Sequence, residues 1–219
     1  MKITSVRGVL VALSCVSMTL ASGCTVVAGG GTSDHGLKVP PEPSPAATAA
    51  GGLKAAALSG ADVAGFTVKV PGDGAVPRRE DVAAEERCAP VAFALVGAVV
   101  GKAEETVTRQ VVDGKGAATT VTLGAYEKDG AQQAMTELSD AVEACAKGFD
   151  VSVKGERQRV TKVDRELAPQ GAEQTMAFGI TTDKGTGKLV VARKGGALGY
   201  FTAPVLPQAV VDAQLVKLG

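Results

Sequence analysis

Tryptophan is absent from this chain of 219 residues, which has only two tyrosines and five phenylalanines. So sparse an aromatic set supplies no stacking platform for bases and no aromatic shelf of the kind found in carbohydrate sites. An excess of either charge is missing too. Twenty-three Lys and Arg stand against 23 Asp and Glu, so nothing favours a polyanion, and no nucleic-acid partner is expected. The one histidine, His35, lies in a low-complexity stretch, which leaves no histidine in the folded part for a serine triad, and no G-x-S-x-G elbow occurs. The Gly-Thr-Gly-Lys run at 185–188 lacks the earlier glycine and the following Ser or Thr of a phosphate loop, so it reads as a hairpin turn. Glu85 with Glu86, and Glu104 with Glu105, are sequence neighbours that point different ways and read as solvated charges. The expectation is a non-catalytic protein with no metal and no cofactor, although carboxylates gathered only by the fold are beyond the reach of sequence.

What the chain does have begins at its first residues. Lys2 and Arg7 precede a mostly apolar run over 8–20, followed by the small residues of Leu-Ala-Ser-Gly-Cys at 20–24. These are the parts of a secretory signal. The run is broken by Ser14, Ser17 and Thr19 and falls short of the ~20 apolar residues that a transmembrane helix needs. Its tail resembles a bacterial lipobox, and that resemblance implies a diacylglycerol on Cys24, with cleavage just ahead of it. The alternative is an ordinary signal cut near Gly23, leaving a free thiol. Cys15, inside the apolar run, goes with the leader. Loss of Lys2 and Arg7 leaves 21 basic residues against 23 acidic ones. The expected location is the extracytoplasmic face of the cell membrane, held through an N-terminal lipid.

Residues 24–52 are small, polar and punctuated, with Gly29, Gly30 and Gly31 and then Pro40, Pro41, Pro43 and Pro45. Such a segment buries too little apolar surface to offset its ordering entropy, so it reads as a disordered tether with a reach of roughly 30 Å. His35 falls in this tether and reads as an incidental solvated side chain. The remaining 53–219, roughly 165 residues, suit a single domain with a proper core. There, Cys88 and Cys145 form an even pair in an exported chain and read as a disulfide. The alternative is a reactive or metal-binding pair, but no histidine lies near either cysteine. The bridge would close a 57-residue separation, a constraint of roughly 4 kcal/mol as an upper figure.

Periodicity supplies the elements. A helical turn is expected over 53–58, a strand over 66–70 and a turn-rich loop over 71–77. Charged residues over 78–87 lead to Cys88, and the uncharged run 91–100 makes a core helix starting near Ala89, with Pro90 in its first turn. Residues 106–112 and 119–126 alternate around Asp113-Gly-Lys-Gly116, the pattern of a β-hairpin. Asp129 is a good N-cap, Gln132 follows three residues later, and Ala131, Ala134, Met135, Leu138, Ala141, Val142 and Cys145 repeat at three and four up to a stop at Gly148. Strand candidates follow at 149–154, 159–164, 173–182, 188–194 and 197–203, with Gly195-Gly196 as a two-residue turn. Pro204 and Pro207 open a closing helix over 206–218. The expected fold is α+β, a mainly antiparallel sheet of about six to seven strands, with two disulfide-linked helices on one face and a C-terminal helix. Candidate ligand residues are Arg109, flanked by Val107 and Val111 on an apolar strand face, and Tyr126 and Tyr200, whose tips would orient a ligand in an apolar cleft. The competing readings are an Arg109 that snorkels to water and tyrosines that pack in the core.

Three motifs, Cys-Ala-Pro-Val-Ala-Phe-Ala-Leu at 88–95, A-x(3)-L-x(2)-A-V-x(2)-C at 134–145 and Leu-Ala-Pro-Gln-Gly-Ala-Glu-Gln at 167–174, occur within this order of elements. Together they resemble the extracellular sensor domains of the PknH type, which occur on actinobacterial Ser/Thr kinases and as free-standing lipoproteins. The resemblance covers 53–219 and implies a mixed α/β domain with a cleft beside the sheet that senses an extracellular ligand. No binding residue is carried over. The expected function is a membrane-anchored lipoprotein that binds or senses a small envelope ligand or a protein partner. The alternatives are a carrier of lipid or glycolipid between membrane and wall and, third, a hydrolase of wall polymers.

Overall fold

Side chains that alternate at every second residue lie half in and half out of a core, and among the described residues such segments, with one three-residue strand at the edge, pair into a nine-stranded sheet. The computed structural model describes residues 52–219. The expected leader with Cys15, the expected lipid site Cys24 and the stretch read as a tether, with His35, lie outside the described residues. The strands are β1 (Phe66–Lys69), β2 (Val82–Ala84), β3 (Glu105–Asp113), β4 (Ala118–Ala125), β5 (Phe149–Val153), β6 (Glu156–Glu166), β7 (Gln174–Thr182), β8 (Gly185–Lys194) and β9 (Ala197–Ala203). Their spatial order is β1-β3-β4-β9-β8-β7-β6-β5-β2, and every pairing is antiparallel.

The count of nine corrects the expected six to seven. Eight of the nine fall on candidate runs; the ninth is β2, three residues inside the charged stretch 78–87, and it pairs at the sheet edge with β5, Val82 opposite Val153. A segment this short shows no alternation of its own, and a long-range partner selects it. The Gly-Thr-Gly-Lys run is a second correction: it opens β8, while the turn consists of Asp183 and Lys184, with Thr182 facing Gly185. The turn between β8 and β9 is Gly195-Gly196 as expected, and Gly195 has the positive φ (59°) of a first hairpin position.

Four helices cover the two faces: α1 (Gly52–Ala56), α2 (Ala89–Leu95), α3 (Gly130–Cys145) and α4 (Gln208–Lys217). The buried residues of α3 are the seven read from its repeat, Ala131 through Cys145. Asp129 occupies the N-cap position but makes no side-chain capping bond. After α3 the chain passes so close to β6 that a Cβ on Gly148 would run into the Val160 carbonyl, and φ there is +98°, so glycine is required twice over. The helices α2 and α3 pack on one face with Leu189, Val191, Leu198 and Phe178. On the other face α1 and α4 cover Val111, Val121, Leu123 and Phe201. The Cys88–Cys145 disulfide joins the start of α2 to the end of α3, with 5.8 Å between the Cα atoms.

The apolar run 91–100 is not one helix. α2 stops at Leu95, because Gly97 at φ +76° closes a Schellman motif in which Ala98 N–H donates to the Phe93 carbonyl at 2.9 Å and Gly97 N–H to that of Ala94 at 3.1 Å. On the opposite face, the closing helix contains one polar residue turned inward. Gln214 is fully buried; its Oε1 accepts from Leu58 N–H at 3.1 Å and its Nε2 donates to the Ala56 carbonyl at 2.7 Å, which ties α4 to the end of α1.

Candidate functional site

Because α2 ends after two turns, one end of its sheet face is left uncovered. The open trough there has a volume of about 420 Å³, within the usual range for small-ligand sites. Its wall is the end of α2, Leu95 and Val96, and its floor crosses six adjacent strands from β4 to β5. The alternation of each strand fixes which side chain points in. Val151, Val160 and Ile180 supply apolar floor, and Thr120, Thr182 and Thr202 supply hydroxyls, all on the α2/α3 face. The middle of the floor is β8, where Gly185 and Gly187 precede Leu189 and Val191 on the same face. A Cβ built on Gly185 meets nothing within 4 Å, and one on Gly187 meets only the Ala203 carbonyl at 3.6 Å. The floor is therefore hollow because two side chains are missing, and Gln158 and Lys184 stand at its rim.

The candidate residues read from sequence are placed elsewhere. Tyr126 and Tyr200 come together, with hydroxyl oxygens 2.8 Å apart, but inside the core and not in the trough. The Tyr126 hydroxyl donates to the Val100 carbonyl at 2.7 Å, and Val100 N–H donates to the Tyr200 oxygen at 3.2 Å. Since each phenol has one proton, Tyr200 must donate to Tyr126. The three bonds close a ring that satisfies both backbone groups of the buried Val100. Burial pushes the Tyr200 phenol up to about 12, and burial together with the neighbouring Tyr200 pushes Tyr126 well above its ordinary value.

Arg109 lies on the opposite face of the sheet, half-buried, with Nη1 donating to the Thr108 carbonyl at 2.9 Å. The acidic neighbours do diverge. Glu105 accepts from Leu53 N–H at 3.3 Å, whereas Glu104 meets Glu127, and the hydrogen bond between the two carboxyls holds Glu104 above the usual carboxylate range. Glu85 pairs with Arg87 at 2.9 Å. Among the described residues no group of three or more His, Cys, Asp or Glu is arranged to hold a metal, and no helix is long and apolar enough to cross a membrane.

Sequence reasoning missed the trough because its lining comes as one or two residues from each of many strands. One local signal was present: glycines at 185 and 187 on the same face of a strand.

No protein-family model matches the chain. No curated protein matches it either. Among solved structures, the extracellular domain of PknH from Mycobacterium tuberculosis is similar to it, with a TM-score of 0.44 and 11% sequence identity, covering 70% of this chain and 79% of that one. This neighbour is of the type that the three sequence motifs resemble.

Proposed function

We propose that the protein is a non-catalytic binding or sensing module of the cell envelope, held on the extracytoplasmic face of the membrane by a lipid on Cys24, and that its ligand lies in the trough beside α2. The observation that carries this reading is the glycine pair in the floor. A strand that continues as Leu189 and Val191 leaves Gly185 and Gly187 bare where the neighbouring β7 presents Thr182 and Ile180 opposite them, and a ligand of largely apolar character fills that volume. Its polar groups would meet the hydroxyls of Thr120, Thr182 and Thr202 and the amide of Gln158. No carboxylate lines the trough, which supports binding over hydrolysis. Its open side favours a ligand held at the surface over acyl chains enclosed in a dry chamber.

The test is native mass spectrometry of the full chain released gently from its own host's envelope, beside a Gly187→Val variant. The φ of Gly187 is not in the left-handed region and a Cβ there is in ordinary contact with the Ala203 carbonyl alone, at 3.6 Å, so the backbone accepts a side chain that extends into the floor, and the melting temperature reports whether the variant folds as the wild type does. A small-molecule adduct on the wild type that disappears in Gly187→Val, with an unchanged melting temperature, is the expected result. An adduct that survives in the variant places the ligand elsewhere and refutes the reading. A mass in the lipid range identifies the carrier instead.

A further inference from the structure

On the face opposite the trough, a hollow of about 520 Å³ opens between α1 with its following loop, the end of β1, the middle of β3 and the end of α4. Four cations line it: Lys54, Lys69, Arg109 and Lys217. Lys217 is held by Asp62, Nζ to Oδ2 at 2.8 Å, and that carboxylate also accepts from the N–H and hydroxyl of Ser59. Lys54, Lys69 and Arg109 have no carboxylate within ion-pair distance among the described residues. The guanidinium of Arg109 is the unusual member. It is half-buried on an apolar strand face, yet only one of its bonds is accounted for, the one to its neighbour's carbonyl. A guanidinium has five donors, and those of Arg109 that the Thr108 carbonyl does not take are not buried, so they stand open to an incoming acceptor.

We infer that this hollow is a binding site for a phosphate-class anion, a phosphate or phosphodiester seated between Arg109, Lys54, Lys69 and Lys217. Three cations in excess of the one paired with Asp62 approach from different elements and suit an anion whose tetrahedral oxygens point in several directions, which a planar carboxylate does not offer. The planar fork of Arg109 grips two such oxygens while lysines act as mobile point charges. Val70, 73% exposed at the mouth of the hollow, gives an apolar neighbour to whatever carries the phosphate. The site lies across the sheet from the trough and stands whether or not the trough holds a ligand.

The experiment is calorimetric titration of inorganic phosphate into the full chain, kept in non-ionic detergent at low ionic strength, in four forms: wild type, Arg109→Gln, Arg109→Lys, and Lys54→Gln with Lys69→Gln. Saturable binding by the wild type is expected, weakened about tenfold or more by Arg109→Gln and by the lysine pair, and partly restored by Arg109→Lys. Both lysines are exposed, so the paired variant folds even if Arg109→Gln does not. Repeating the titration in micelles doped with phosphatidylglycerol assigns the source. A raised apparent Kd for phosphate means that lipid headgroups compete for the site, and an unchanged one means that soluble phosphates occupy it. Absence of saturable heat in the wild type, or equal affinity in all four forms, overturns the assignment.

Discussion

The ring of hydrogen bonds around Val100 makes an asymmetric prediction. Removing the Tyr126 hydroxyl leaves the Val100 carbonyl without its donor and the Tyr200 proton without its acceptor, two buried groups orphaned. Removing the Tyr200 hydroxyl orphans only Val100 N–H, because Tyr126 still donates to the carbonyl. Each orphan costs about 1–3 kcal/mol, so with ~1.5 kcal/mol apiece Tyr126→Phe loses about 3 kcal/mol and Tyr200→Phe about 1.5. The double variant orphans Val100 N–H and C=O but no phenol, and loses about 3 kcal/mol, roughly 1.5 less than the sum of the singles. Urea unfolding followed by circular dichroism measures all three. The second arm is pH. Both phenols are raised in the folded state, so the folded chain keeps its protons after the unfolded chain has released its own near pH 10. Stability is therefore intact below that pH and is lost as pH rises, by ~1.4 kcal/mol per unit for each tyrosine. For Tyr200 the loss continues to about pH 12. The chain has no other tyrosine and no tryptophan, so tyrosinate absorbance reports this pair alone. Additive single variants, or a Tyr200→Phe loss as large as that of Tyr126→Phe, would refute the order of donors.

Three further outcomes follow from the packing. Replacing both Cys88 and Cys145 by serine, or adding reductant, should lower stability by up to ~4 kcal/mol, the entropy of a 57-residue closure. A urea midpoint indifferent to reductant would show that the bridge adds nothing. Gln214→Leu should cost about 2–3 kcal/mol by orphaning Leu58 N–H and the Ala56 carbonyl, and hydrogen exchange at Leu58 should accelerate well beyond that of α3. Asp62 is depressed from 3.8 to about 2, first by its hydrogen bond to Lys217 and then by those to Ser59. Its contribution is present above the unfolded value and disappears as pH falls through about 2. After allowance for solvent screening it is worth about 1 kcal/mol. Asp62→Asn should therefore be less stable than wild type at neutral pH, with the difference vanishing in acid.

What could be read from the sequence was whatever repeats over short distances. The buried stripe of α3 needs only its own spacing of three and four, and the Gly195-Gly196 turn needs only its neighbours, so both were visible. The pairing of Cys88 with Cys145 was legible for another reason: they are the only two cysteines in the stretch read as the folded domain. What failed depended on distant partners. Val82–Ala84 is a strand because β5 lies beside it. Gly97 could have been read as a helix stop, but it sits in an uncharged run whose continuity suggested a single helix. Gln214 is polar at a buried position, and its reason for being there, the backbone of residues 56 and 58, lies more than 150 residues away. The tyrosine tips read as orienting a ligand in a cleft, with core packing as the alternative; the fold puts both rings in the core and turns their hydroxyls to each other and to Val100.

The trough and the tyrosine ring are parts of one construction. Val96 walls the trough, Gly97 turns the chain, and four residues after Val96 both backbone groups of Val100 are clamped by Tyr126 and Tyr200. At its other end α2 is pinned through Cys88 to α3. The helix that forms the wall is thus fixed at both ends by bonds that do not involve a ligand, so the wall is set before binding and contributes no ordering cost. The facing rim is different. Residues 183–186 are exposed, their turn is two residues long, and Lys184 meets Glu156 only at 3.7 Å across water-accessible side chains. Such a pair contributes little. A ligand would therefore meet one preformed side and one adaptable side. The glycines of the floor belong to the strand that begins at the adaptable side, which is where a binding module gains from having backbone free of side chains.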